Sequence, residues 1–199
     1  MKFILAFLIF SGVIATGNAL KCNTCKLVMK GETDCVGELE ECDENTYKCA
    51  TQIEENVIGK DVITTVKKSC FPSDFKDYCD NYFELDSRPK FHISVYSKCC
   101  NETDGCNTGP IQMPPRNTTL NGRECPVCFE EGSDKCKSIG MKKCGCNQLQ
   151  CLTYSGRAAR PDEPPKDYAI QGCVTPGACE LRLQGLPGSQ VLTDGYKCT

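Results

Sequence analysis

The chain has 199 residues, of which 19 are cysteine and one is histidine, and it carries a formal net charge of −3. No basic cluster is interleaved with aromatic residues, which argues against a nucleic-acid surface. Cysteine at this density points to an oxidising compartment and a disulfide-stapled scaffold rather than a reduced cytosolic protein.

At the start, Lys2 precedes an apolar run over residues 3–10, and the small residues Gly17 and Ala19 bracket a cleavage point. This predicts a signal peptide over residues 1–19. The apolar stretch is short for a bilayer span and is interrupted by Ser11 and Gly12. The expected location is therefore extracellular, by secretion, with the cysteines paired.

The cysteines then fall into one spacing pattern that occurs twice. Cys22, Cys25, Cys35, Cys42, Cys49, Cys70, Cys79 and Cys99 leave gaps of 2, 9, 6, 6, 20, 8 and 19 residues. Cys125, Cys128, Cys136, Cys144, Cys151, Cys173, Cys179 and Cys198 leave gaps of 2, 7, 7, 6, 21, 5 and 18. Agreement across seven successive gaps marks one module used twice: module one over residues 20–107, a linker over 108–123 and module two over 124–199. Cys100 and Cys106 extend the first copy, and Cys146 is an extra thiol in the second. Modules this small bury limited apolar surface, so bridges at about 2–4 kcal/mol each must supply part of the stability. The linker, with Gly109, Pro110, Pro114, Pro115 and Gly122, suits an extended, non-helical connector.

Within module one, residues 61–67 are rich in β-branched side chains and follow residues 51–55 across Gly59, so the stretch from Cys49 to Cys70 reads as a long hairpin. A second hairpin is expected between Cys79 and Cys99. There Phe91, Ile93 and Val95 alternate with His92, Ser94 and Tyr96, and a turn falls near residues 86–89. The second set, His92 included, is expected to face solvent. No segment has a sustained helical period, and the class is all-β and disulfide-rich.

Charge is uneven. Module one carries 17 acidic against 11 basic residues, whereas the linker and module two together carry 9 against 11. Glu32, Asp34, Glu38, Glu40, Glu41, Asp43 and Glu44 occur with no lysine or arginine among them. Two readings stand: an acidic first finger that attracts a basic protein partner and speeds encounter, or a solvated face that aids solubility.

Catalytic chemistry lacks its parts. The single His92 has no free thiol assigned near it, and no Gly-x-Ser-x-Gly elbow is present, so no catalytic residue is expected. The Cys22-x-x-Cys25 and Cys125-x-x-Cys128 pairs fit zinc knuckles in a cytosolic chain, but secretion favours disulfides; neither metal nor cofactor is expected. Asn101-Glu102-Thr103 and Asn117-Thr118-Thr119 are glycosylation sequons. The C-terminus has no apolar tail for a glycolipid signal.

The stretch Cys99-Cys100-Asn101-Glu102-Thr103-Asp104-Gly105-Cys106-Asn107 resembles the closing signature of three-finger domains of the urokinase-receptor type, and Leu20-Lys21-Cys22-Asn23-Thr24-Cys25 resembles their opening. The resemblance implies two tandem three-finger domains with Cys22 bonded to Cys49, Cys25 to Cys35, Cys42 to Cys70, Cys79 to Cys99 and Cys100 to Cys106. In module two it implies Cys125 with Cys151, Cys128 with Cys136, Cys144 with Cys173 and Cys179 with Cys198, and module two lacks the last cysteine pair. Cys146 is then the free thiol and a route to a disulfide-linked homo-oligomer; the alternative exchanges Cys146 with Cys144. Two such modules look like the gamma-class inhibitors of secretory phospholipase A2, and are also similar to sodefrin-precursor-like factors. Gly156-Arg157-Ala158-Ala159-Arg160-Pro161 and Gln171-Gly172-Cys173 are similar to stretches in both. The resemblance implies a secreted, non-enzymatic protein that inhibits a basic secretory phospholipase A2, with a pheromone-type ligand for a receptor as the alternative.

Overall fold

The computed structural model describes residues 19–177, 183–193 and 195–199. The expected signal peptide, Ala19 apart, and Cys179 lie outside the described residues.

Module one contains β1 (Lys21–Val28), β2 (Glu38–Glu41), β3 (Thr46–Ile58), β4 (Asp61–Pro72), a 3₁₀ helix (Ser73–Tyr78), β5 (Tyr82–Ser87) and β6 (Phe91–Cys100). Module two contains β7 (Leu120–Pro126), β8 (Cys128–Glu131), β9 (Met141–Gly145), β10 (Gln150–Ala159), β11 (Lys166–Val174), β12 (Gln190–Val191) and β13 (Tyr196–Cys198). Both predicted hairpins are present, as β3 with β4 and β5 with β6. In the first, Ile58 faces Asp61 across a two-residue turn, and Gly59 supplies its φ of 58°. A two-residue hairpin turn needs that left-handed conformation, which glycine adopts without a Cβ clash.

Among the described residues, eight disulfides join Cys22 to Cys49, Cys25 to Cys35, Cys42 to Cys70, Cys79 to Cys99, Cys100 to Cys106, Cys125 to Cys151, Cys128 to Cys136 and Cys144 to Cys173. Some of them cluster within each module: Cys22, Cys42 and Cys49 pack together in one, and Cys125, Cys144 and Cys173 in the other. Cys198 is also disulfide-bonded.

The two modules are not separate bodies on a tether. Strands run in the order β12-β10-β11-β5-β6-β3-β4-β1-β2 through one eleven-stranded sheet, with β8 and β13 pairing β11 and β10; β7 and β9 form a second, two-stranded sheet. The junction is the antiparallel pairing of β11 with β5, where Val174 faces Leu85 and Cys173 faces Asp86. Gly172 is required there. A Cβ on it would lie 2.4 Å from the Asp86 carbonyl oxygen.

The largest core is shared across that junction. Phe83, Leu85, Phe91, Ile93 and Val95 of module one pack with Phe129, Leu152, Tyr154, Tyr168, Ile170 and Val174 of module two. Phe91 stacks on Phe129 with ring centroids 4.9 Å apart. Pooling their apolar faces gives two small modules a core that neither builds alone.

Residues 108–119 form neither helix nor strand, and the segment is packed against module one. Ile111 is 3% exposed among Cys35, Ile53 and Val66, and its N–H donates to the Thr33 carbonyl at 2.8 Å. β7 begins at Leu120, inside the segment read as linker, because Leu120 takes a partner in Gly145 of β9.

Candidate functional site

The acidic first finger is the β1–β2 hairpin. β2 pairs with β1 on one side only and is the edge of the sheet, with Thr24 opposite Glu38 and Cys22 opposite Glu40. Glu38, Glu40 and Glu41 are exposed, and so are Glu32, Asp43 and Glu44 in the flanking loops. Apolar side chains stand among them: Val36 is 95% exposed and Leu39 52%. The Cys25–Cys35 bridge ties the loop to β1, and Gly37 passes so close that a Cβ on it would overlap the Thr24 carbonyl. The finger is thus a fixed edge carrying carboxylates and two apolar contacts, which suits a protein surface with basic groups around an apolar centre.

Two of the seven acids are already engaged. Asp34 forms an ion pair with Lys68 at 2.5 Å, so its charge is locally matched. Asp43 accepts the Asn45 N–H at 3.0 Å and the Thr46 hydroxyl at 3.2 Å, organising the turn into β3.

The expectation that His92 faces solvent is overturned. Its side chain is 12% exposed, and its Nε2 lies 2.9 Å from Glu84 Oε1. Ser94, on the same face, is 1% exposed. β5 pairs edge to edge with β6, which sets Glu84 beside Ser94 and Asp86 beside His92 on one face, and that face is covered by the cations gathered on the two carboxylates.

That pairing belongs to a charged network the sequence did not announce. Glu84 and Asp86 are buried carboxylates on β5. Arg116, from the linker, pairs with both; Arg88 reaches Asp86 with its Nε at 2.9 Å, and Lys142 of β9 approaches Asp86 at 3.5 Å. Burial pushes the Asp86 carboxyl up, but hydrogen bonds and charge from Arg88, with help from Lys142, hold it below the ordinary value. First module, linker and second module meet at these two carboxylates.

A second junction lies on β3. Glu54, fully buried, accepts the N–H of Gly188 at 2.8 Å and of Ser189 at 3.0 Å. Arg160, 8% exposed, donates to Asn56 Oδ1 at 2.9 Å and pairs with Asp61 and Glu163, each at 2.9 Å. Arg160 belongs to the 156–161 stretch singled out in the sequence, and Gly172 to the other. Both stretches hold the modules together.

The cysteine groups that bring sulfurs close together, Cys22 with Cys42 and Cys70, and Cys125 with Cys144 and Cys173, consist of disulfide sulfurs, which offer no thiolate to a metal. Cys146 is an exposed free thiol. Asn101 and Asn117 are exposed. No helix among the described residues is long and apolar enough to cross a membrane.

This is a tandem three-finger protein whose regular structure is β apart from one short 3₁₀ helix among the described residues, with its exposed chemistry on finger edges and its buried charge between modules. The u-PAR/Ly-6 domain family matches residues 18–109 and 121–198, and the chain belongs to that family. It is 30% identical over 183 residues to a phospholipase A2 inhibitor gamma subunit from Elaphe quadrivirgata, covering 91% of this chain and 86% of that one. It is 26% identical over 182 residues to phospholipase A2 inhibitor NAI of Notechis ater, again covering 91% and 86%. Among solved structures, mouse TEX101 aligns with a TM-score of 0.43 at 18% identity, over 90% of this chain and 97% of that one.

Proposed function

We propose that the chain is a secreted, non-enzymatic binding protein that inhibits a secretory phospholipase A2 by covering the face through which the enzyme meets its lipid. The observation that supports this reading is the 30% identity to a phospholipase A2 inhibitor gamma chain across both modules. A rigid two-module sheet with an acidic edge fits a partner whose surface is basic. In this reading Asn117 and Asn101 carry glycans, and any calcium requirement belongs to the enzyme.

The test is hydrolysis by a panel of basic secretory phospholipases A2 with the correctly oxidised protein in molar excess. Inhibition that disappears when the disulfides are reduced and capped is expected. If no enzyme of the panel is inhibited while the protein stays folded, the inhibitor reading fails and a receptor-directed signalling role takes its place.

A further inference from the structure

Between the modules lies a cavity of about 60 Å³, walled by Phe83, Leu85 and Ile93 of module one and by Tyr154, Ile170 and Leu183 of module two. We propose that this cavity is a binding site for one small neutral hydrocarbon group, and that module two closes it over the strands of module one. The inference is independent of the phospholipase reading.

Size and chemistry select the occupant. The volume is several times the roughly 10–15 Å³ that a single water needs, and a water also needs two to four polar partners to stay. The surface that opens into the cavity is apolar. Its polar wall residues bond to one another instead: Arg160 Nε donates to Asn56 Oδ1 at 2.9 Å, and Asn56 Nδ2 donates to Ser189 Oγ at 3.0 Å. Tyr154 donates its hydroxyl to the Arg157 carbonyl at 3.0 Å; the Tyr168 hydroxyl is buried without a hydrogen-bond partner but gives the cavity no surface, so both residues offer it their rings. An ion or a strongly hydrated group entering here would leave its charge or hydrogen bonds unmatched. A hydrocarbon group gains the dispersion contacts that the empty walls lack.

Two sources share that chemistry: a free small hydrocarbon, and the end of a lipid's acyl chain with its head left in solvent. Methyl NMR of the full chain separates them, with toluene as the free probe and a hexanoyl lysophospholipid as the chain-end probe. Saturable shifts at Ile93, Ile170 and Leu183 with toluene alone assign a free hydrocarbon, and the same shifts with the lysophospholipid assign a chain end. If neither probe produces saturable shifts, the proposal is overturned.

Two variants bear on the same point from opposite sides. Ala158, half-buried in the wall, becomes larger in Ala158→Leu, which fills the space and is expected to weaken binding by about tenfold or more. Ile170→Ala enlarges it and is expected to tighten binding by about threefold or more. Unchanged affinity in a folded Ala158→Leu overturns the assignment. If that variant does not fold, Ile170→Ala decides: tighter binding supports the site, and unchanged or weaker binding overturns it.

Discussion

Glu54 on β3 and Gly188, 134 residues further along, meet in a buried hydrogen bond of 2.8 Å from the Gly188 N–H to the Glu54 carboxylate. The contact requires the glycine, since a Cβ there would lie 2.3 Å from the Thr65 hydroxyl and 2.7 Å from Pro161. One carboxylate thus clasps the returning loop of module two against the sheet of module one.

Burial raises the Glu54 carboxyl above its ordinary value, and the bonds from Ser189 and Gly188 recover part of that shift. A carboxyl raised in the fold binds its proton more tightly in the native than in the unfolded state, so its contribution favours folding at acid pH. That contribution is lost as pH rises from the ordinary carboxylate range through the raised value. Glu54→Gln keeps an acceptor oxygen for the Gly188 N–H and removes the buried charge. Urea unfolding at pH 5 and pH 8 should show a smaller loss of stability between the two values for Glu54→Gln than for wild type. An equal loss would assign the pH dependence to other groups.

Arg116 matters in the opposite sense. Removing it leaves Glu84 and Asp86 buried with less compensation, and breaking a buried pair by deleting one partner costs about 3–5 kcal/mol. Because the Asp86 carboxyl is held below its ordinary value, the stability it confers is present above the ordinary carboxylate range and is lost as pH falls through the depressed value. Arg116→Ala should lower the urea midpoint at pH 7, and because it starts from less stability it should unfold at a higher pH than wild type as the carboxylates protonate. A midpoint within experimental error of wild type would mean that Arg88 and Lys142 already balance the two acids.

The repeated cysteine spacing and the β-branched hairpin residues made the class, the two modules and both hairpins of module one legible, because such patterns are local and their period is short. The junction was not legible. Arg116 sits in a stretch whose prolines announce only an extended chain, and nothing local says that it reaches Glu84 and Asp86, which lie 30 or more residues away in sequence. The expectation for His92 fails for a related reason: alternation identifies two faces of a strand but cannot say that both are covered, as this one is by Arg116 of the linker drawn onto Glu84 and Asp86. Gly172 and Arg160 were visible as parts of unusual phrases, and their role emerges only once the modules are docked.

The acidic edge should act on encounter more than on the lifetime of a complex, since its carboxylates are exposed and a charge in water steers at a distance. Reversing Glu38, Glu40 and Glu41 to lysine is expected to slow association with a basic partner by about tenfold at low salt, with little change in dissociation. Raising the ionic strength shortens the screening length to about 8 Å at physiological salt and less beyond, so the difference should shrink accordingly. Stopped-flow or surface-binding rates at two salt concentrations check this, and an unchanged association rate at low salt would reduce the edge to a solubilising surface.

Cys146 is exposed and free while Cys144, two residues earlier, is 0% exposed and bonded to Cys173. The two thiols should respond differently to the same substitution. Cys146→Ser changes an exposed, unbonded side chain, and its effect on stability should fall within about 0.5 kcal/mol, as for ordinary surface changes. It should also abolish any disulfide-linked dimer seen on non-reducing electrophoresis, because the exposed thiol is the one available for an intermolecular bond. Cys144→Ser breaks a buried bridge that closes a separation of 29 residues, and a loss of about 2–5 kcal/mol is expected. Thiol titration under native conditions, intact mass and thermal unfolding of the two variants decide the matter: if Cys146→Ser misfolds while Cys144→Ser folds normally, the framework position belongs to Cys146.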